Sequence, residues 1–206
     1  MEALRFVAND ALIGPMVNER HPIAKVLIAG APSAGKTSLV HSLIFEGFTE
    51  VAPTIGVNFA QKVCRGEAGP VNLSIWDLSG QSRFRCLMPR FCQGANGVVL
   101  VVDLTDPDSL DIAGQWLELI SSFNNLQQEF AVVLAGNKGD LLGVLTQKRI
   151  QLFCARHNIM EYIPCSAKTG ENVRLVFESL CSAMQRNHLA VTAPSSNLAQ
   201  IDPSIL

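Results

Sequence analysis

The chain has 206 residues, 48% of them hydrophobic and 17% charged, with 16 Lys+Arg against 18 Asp+Glu for a net charge of −2. That is the length of one domain, apolar enough to bury a large core, and it excludes an intrinsically disordered chain. The balance of charge argues against a nucleic-acid-binding domain, and the longest apolar runs, Gly97 to Val102 and Phe130 to Ala135, fall far short of the roughly 18 residues of a membrane span.

Residues 1–21 hold a short apolar stripe (Leu4, Val7, Ala11 and Leu12), broken at Gly14-Pro15, and read as an N-terminal extension. The opening Met-Glu-Ala-Leu-Arg has neither the basic nor the apolar region of a secretory signal. Ile23 to Ala29 reads as a strand that runs into a Gly-rich turn and then a helix with Leu39, Val40, Leu43 and Ile44 on one stripe. Val57 to Cys64 and Val71 to Trp76 read as two strands joined by the loop Arg65 to Pro70. Gly97 to Asp103 and Phe130 to Gly136 are continuous apolar runs, as in strands covered on both faces. Between them Asp106-Pro107 is an N-cap with Pro at the first helical position, and Ala113, Trp116, Leu117, Ile120 and Phe123 recur at helical spacing. A shorter helix follows Thr146, with Ile150, Phe153 and Cys154 inward, and a short strand covers Glu161 to Pro164. The last helix carries Val173, Val176, Phe177, Leu180 and Met184, and residues 188–206 have the composition of a flexible tail. Strands alternating with helices predict an open, mostly parallel α/β sheet with right-handed crossovers. The six cysteines, at 64, 86, 92, 154, 165 and 181, match no zinc spacing and are expected to be reduced, mostly buried thiols.

Between the first strand and helix, Gly30-Ala-Pro-Ser-Ala-Gly35-Lys36-Thr37 fits G-x-x-x-x-G-K-[ST]. Glycines let the backbone wrap phosphate oxygens, and the helix start adds a positive dipole end. The candidate cradle is Gly30, Ser33, Ala34, Gly35, Lys36, Thr37 and Ser38, with the Lys36 ammonium on the β- and γ-phosphates and the Thr37 hydroxyl on Mg²⁺. Pro32 is odd in this loop: it has no N–H to donate, and its ring is placed to crowd the γ-phosphate.

Three later segments bear on the base and the metal. In Asn137-Lys138-Gly139-Asp140 the Asp140 carboxylate suits the N1–H and 2-amino donors of guanine and rejects adenine, which lacks that pair. Ser166-Ala167-Lys168 follows the short strand, where a backbone N–H can meet the guanine O6. In Asp77-Leu-Ser-Gly80 the carboxylate can hold Mg²⁺ through water and the Gly80 amide can sense a γ-phosphate.

These segments, in this order, resemble the Ras superfamily of small GTPases over about residues 23–187. The resemblance implies a three-layer P-loop NTPase G domain over 22–187: a mostly parallel six-stranded sheet with one antiparallel strand and helices on both faces. Thr54-Ile-Gly-Val-Asn-Phe59 looks like the end of a Rab switch I, and Trp76 to Arg85 looks like a Rab switch II. By the same resemblance Thr54 is the threonine that closes over Mg²⁺ and the γ-phosphate, Gln81 positions the attacking water, and Phe48 packs against the guanine unless it is a core residue. Phe59, Trp76 and Phe91 fall where Rabs carry an aromatic triad read by effectors, ordinary core packing being the other reading. Rab-like is the first choice of lineage. The 18-residue step from Lys36 to Thr54 and the segment Phe91 to Asn96 also look Arf-like.

The implied activity is Mg²⁺-dependent hydrolysis of GTP to GDP, slow on its own because no arginine lies between Phe48 and Thr54, with exchange, activating and effector proteins acting through the two switches. A nucleotide-binding scaffold held in one state is the alternative, and an ATP-using kinase leaves Asn137 to Asp140 unexplained. The last cysteine is Cys181 and position two is Glu, so neither prenylation nor N-myristoylation is expected. The expected protein is a cytoplasmic monomer that reaches membranes through partners or the N-terminal stripe.

Overall fold

The structure, a computed structural model, describes residues 21–80, 88–123, 130–159 and 161–187. In chain order the elements are β1 (Ile23–Gly30), α1 (Lys36–Phe45), β2 (Val57–Gly66), β3 (Gly69–Leu78), α2 (Met88–Cys92), β4 (Gly97–Asp103), α3 (Ser109–Phe123), β5 (Ala131–Asn137), α4 (Gln147–Arg156), β6 (Glu161–Pro164) and α5 (Val173–Arg186). One six-stranded sheet runs β2-β3-β1-β4-β5-β6; only β2 is antiparallel to its neighbour, as the resemblance implied.

Every residue of β4 is buried, which is why it reads as an uninterrupted apolar run rather than an alternating one. One face of the sheet packs on α1 and α5 through Leu39, Leu43, Phe177, Leu180 and Met184. The other packs on α2, α3 and α4 through Cys92, Trp116, Ile120 and Ile150. The strand order reverses at β1, whose neighbours β3 and β4 lead to opposite edges, so the carboxyl ends of the parallel strands open onto a shared crevice.

Some boundaries differ from expectation. The strands β2 and β3 run on through the expected loop, leaving a turn of Glu67 and Ala68 between the paired Gly66 and Gly69. Gly69, at φ 117°, supplies the backbone conformation this tight turn needs, and Pro70 stands near the start of its strand, where a missing N–H is tolerated. The hairpin tip is fastened to α5: the N–H of Glu67 donates to Ser182 Oγ (3.1 Å), the N–H of Ala68 to Gln185 Oε1 (2.8 Å), and Gln185 Nε2 to Gly69 O (3.1 Å). A Cβ on Gly66 would stand 2.9 Å from the Cys181 carbonyl carbon. Arg186 adds ion pairs to Glu67 and Glu161. Regular helix in α3 starts at Ser109, but the capping signal is realised, since Asp106 Oδ1 accepts the N–H of Asp108 (3.0 Å). Thr146 caps α4 by accepting the N–H of Arg149.

Cys64, Cys92, Cys165 and Cys181 are buried free thiols and Cys154 is half-buried; burial pushes Cys64, Cys165 and Cys181 up to about 12. Cys86, residues 1–20 of the expected extension and the tail 188–206 lie outside the described residues.

Phe177 is fully buried in the α5 face while Leu175, two residues earlier, is 49% exposed. Phe177→Ala is expected to cost about 3–5 kcal/mol of unfolding free energy and Leu175→Ala within about 0.5, read from denaturant midpoints at fixed nucleotide.

Candidate functional site

The loop between β1 and α1 owes its shape to two glycines. At Gly30 (φ 143°) an added Cβ would stand 2.1 Å from the Val101 carbonyl oxygen of β4, and at Gly35 (φ 86°) one would stand 2.2 Å from Asn137 Nδ2. Ser33 also adopts the left-handed region, at φ 61°. Gly35 is the N-cap of α1 and offers no side chain to its first-turn N–H groups, which is the condition under which a helix start serves an anion. Lys36 opens the helix, buried, and its Nζ donates to Ala31 O (2.6 Å) and Gly30 O (3.1 Å), which lays the ammonium across the loop. Burial pulls that amine down to about 8, with Asp77 opposing the shift. Gly80 closes against the same loop, since a Cβ there would lie 2.6 Å from Lys36 Nζ and 2.7 Å from Pro32 N.

Three oxygen-bearing side chains from distant segments meet beside Lys36. Thr37 Oγ1 donates to Asp77 Oδ2 (2.6 Å) and lies 2.6 Å from Thr54 Oγ1, which itself donates to Asp77 Oδ2 (3.3 Å). Asn58 Nδ2 reaches Thr54 Oγ1 at 3.4 Å. Burial pushes the Asp77 carboxyl up to about 6, although bonds from Thr37 and Thr54 and the Lys36 charge pull the other way. Its second oxygen, Oδ1, is buried with no hydrogen-bond partner. Two hydroxyls and a carboxylate with an unsatisfied oxygen make a hard, oxygen-only donor set that fits a small divalent cation such as Mg²⁺.

On the other flank, Asn137 ends β5 and ties three segments together. Its Nδ2 donates to Ala34 O (2.8 Å) in the first loop, and its Oδ1 accepts the N–H of Ala167 (2.9 Å) in the loop after β6. Ser166 Oγ donates to Asp140 Oδ1 (2.5 Å) and accepts the N–H of Thr169, so the carboxylate proposed to read the base is held by a buried serine. Lys138, at φ 64°, pairs with Asp103 at 2.5 Å. Burial raises the Asp103 carboxyl, but Lys138 and Thr105 outweigh it and hold it below its ordinary value.

Hydrogen bonds and close approaches thus link Gly30, Gly35, Lys36, Thr37, Thr54, Asp77 and Gly80 around the first loop, and Ala34, Asn137, Ala167, Ser166 and Asp140 beside it, with Ser33 in the same loop and Lys138 next to Asn137 and paired with Asp103. Ser38 follows on α1, and Lys168 is exposed next to Ala167. Phe48 is 45% exposed and so is not a core residue. Gln81 lies outside the described residues. Phe59, Trp76 and Phe91 come together at the edge of the core: Phe59 meets Trp76 edge-on at 4.5 Å between centroids and is 46% exposed, Phe91 lies 5.8 Å from Trp76, and Trp76 and Phe91 are half-buried against the α2–α3 side of the core. Sequence reasoning missed Asn58 and Asp103. The second had a signal, because Asp103 ends the β4 apolar run and pairs in register with Asn137.

The family model of the Ras family matches residues 25–186. The Ras-related protein Rab-18 of Lymnaea stagnalis is 38% identical over 157 residues, spanning 76% of this chain and 77% of its own length. The Ras-related protein Rab7 of Cenchrus ciliaris is 34% identical over 179 residues (84% and 87%), and Rab-7b of Mus musculus is 32% identical over 160 (77% and 80%). With a six-stranded sheet of the expected topology and relatives of this kind over most of its length, the chain belongs to the Ras family and is a Rab-like small GTPase.

Proposed function

We propose that this GTPase works as a Mg²⁺-dependent switch whose first mobile segment reports the γ-phosphate through Thr54, in Rab-like trafficking. The observation that carries the reading is the meeting of Thr54 with Thr37 and Asp77: one side chain of the 46–56 connection reaches the pair that would hold the cation. In this reading Thr37, Thr54 and Asp77 hold Mg²⁺, which when bound offsets phosphate charge. The backbone of residues 30–38 cradles the phosphates, and Lys36 swings its ammonium from the loop carbonyls to the β- and γ-oxygens. Asp140 accepts the N1–H and 2-amino hydrogens of guanine, the amides of residues 166–168 face its O6, and Phe48 offers a ring to the base. Gln81 orients the attacking water, and the loss of phosphate releases Thr54 and Gly80. Phe59, Trp76 and Phe91 form the face that effectors read; activating and exchange proteins act at the neighbouring switches. The expected setting is cytoplasmic, at membranes through partners; among the described residues no helix is long and apolar enough to cross one.

The nucleotide carried through purification, released and identified by chromatography, tests the reading. GDP, with slow Mg²⁺-dependent turnover that Gln81→Leu abolishes, supports it; retained GTP without turnover points instead to a scaffold locked in one state, and adenine nucleotide overturns the base assignment. Asp140→Asn puts an amide donor where guanine presents its own donors, and about 10- to 100-fold weaker GTP binding is expected, with xanthine nucleotide, which carries a 2-oxo acceptor, recovering affinity in a competition assay. Pro32 is expected to hinder both Gln81 and an incoming activator arginine, so Pro32→Gly should raise intrinsic and stimulated hydrolysis in single-turnover measurements; unchanged rates would remove that role.

A further inference from the structure

Lys25 is a basic residue on a strand whose every neighbour from Val26 to Gly30 is buried. Its Nζ stands 4.0 Å from the centroid of the Trp76 ring and donates to Gln93 O at 2.8 Å, just past the end of α2. Its backbone is bound to the same connection, for its N–H donates to Asn96 Oδ1 (2.8 Å) and its carbonyl accepts the N–H of Asn96 (2.8 Å). The cation therefore touches two things at once: the central ring of the aromatic cluster, and the segment that follows the helix bearing Phe91. An ammonium over an indole face is held by the ring's quadrupole, and that attraction vanishes when the charge does.

We propose that Lys25 is a positioning residue for the aromatic face: its charge holds the Trp76 ring and, through Gln93, the end of α2, so the shape offered to a partner depends on a cation that the partner does not need to touch. This rests on the reading of Phe59, Trp76 and Phe91 as a docking face. The geometry is supported by the amine's chemistry. Burial pulls Lys25 down to about 8, so its charge is lost within an accessible range. The titratable group facing it is Cys92 on α2, which burial pushes up to about 11 and which therefore stays neutral there. Its register partner Ser74 on β3, and Gln93 and Asn96 after α2, carry no charge.

The chain has two tryptophans, Trp76 and the buried Trp116, so the GDP-loaded full-length protein labelled with 5-fluorotryptophan gives two ¹⁹F resonances, assigned with Trp76→Phe. Between pH 6.5 and 9.5, roughly the span that brackets the amine, the Trp76 resonance is expected to shift with a midpoint near 8. Lys25→Met should abolish the titration, and Lys25→Arg should hold the resonance near its low-pH position throughout. The Trp116 resonance reports the fold of each variant, and if Lys25→Met does not fold, Lys25→Arg decides alone. A Trp76 resonance that does not titrate, or titrates unchanged in the folded variant, overturns the proposal. No partner enters this readout, so failure of the docking-face reading would show separately, as a titrating ring on a face to which no effector binds.

Discussion

The Asn137 carboxamide is the joint on which the crevice depends. It spends its donor on the loop between β1 and α1 and its acceptor on the loop after β6, so one side chain fixes the separation of the two loops. Gly35 must be glycine because this joint stands where its Cβ would be. The parallel sheet delivers Gly30, Asn137 and Pro164 to the same edge, and neighbouring strand ends alone would leave three independent loops. The two bonds of Asn137 turn them into one surface with a defined span.

The same economy governs charge. Lys36 and Asp77 are both buried, and burial drives their protonation equilibria toward the neutral forms: down for the amine, up for the carboxyl. Each partly offsets the other's shift, and loop carbonyls and hydroxyls supply the remaining partners. Such groups are costly to bury and are retained where a charged ligand compensates them. The orphaned Asp77 Oδ1 marks where that compensation is incomplete within the protein alone.

Much of this was readable beforehand, and for definite reasons. The phosphate loop, the Asn137 to Asp140 segment and the buried strands are local signals, each contained within about eight residues of chain. The layout of the sheet followed from alternation of those signals. What escaped was pairing between segments far apart in sequence. The end of the β4 apolar run marks Asp103 but not its distant partner Lys138; Asn58, by contrast, is only four residues from Thr54 and was missed although the contact is local. The hairpin loop was read too long because glycine and proline mark both turns and strand ends, and here Gly66, Gly69 and Pro70 belong to the ladder. The aromatic trio divides between the two readings, Phe59 half in solvent and Trp76 and Phe91 half-buried on the core, because a residue type alone does not tell how deep a strand or helix face will sit.

The close packing of Gly66 on α5 has a mechanical consequence. Sliding β2 along its neighbours by one residue would bring Arg65 or Glu67, each with a Cβ, to the place where even a bare methyl collides with the Cys181 backbone, and would also turn every side chain of the strand to the opposite face. The hairpin is therefore clamped at its tip by α5, while β3 is held from Asn72 to Asp77 by its parallel pairing with β1. Slippage is blocked from the end of the hairpin opposite the aromatics, so the register that sets Phe59 directly across from Trp76 is guarded by a contact neither ring makes.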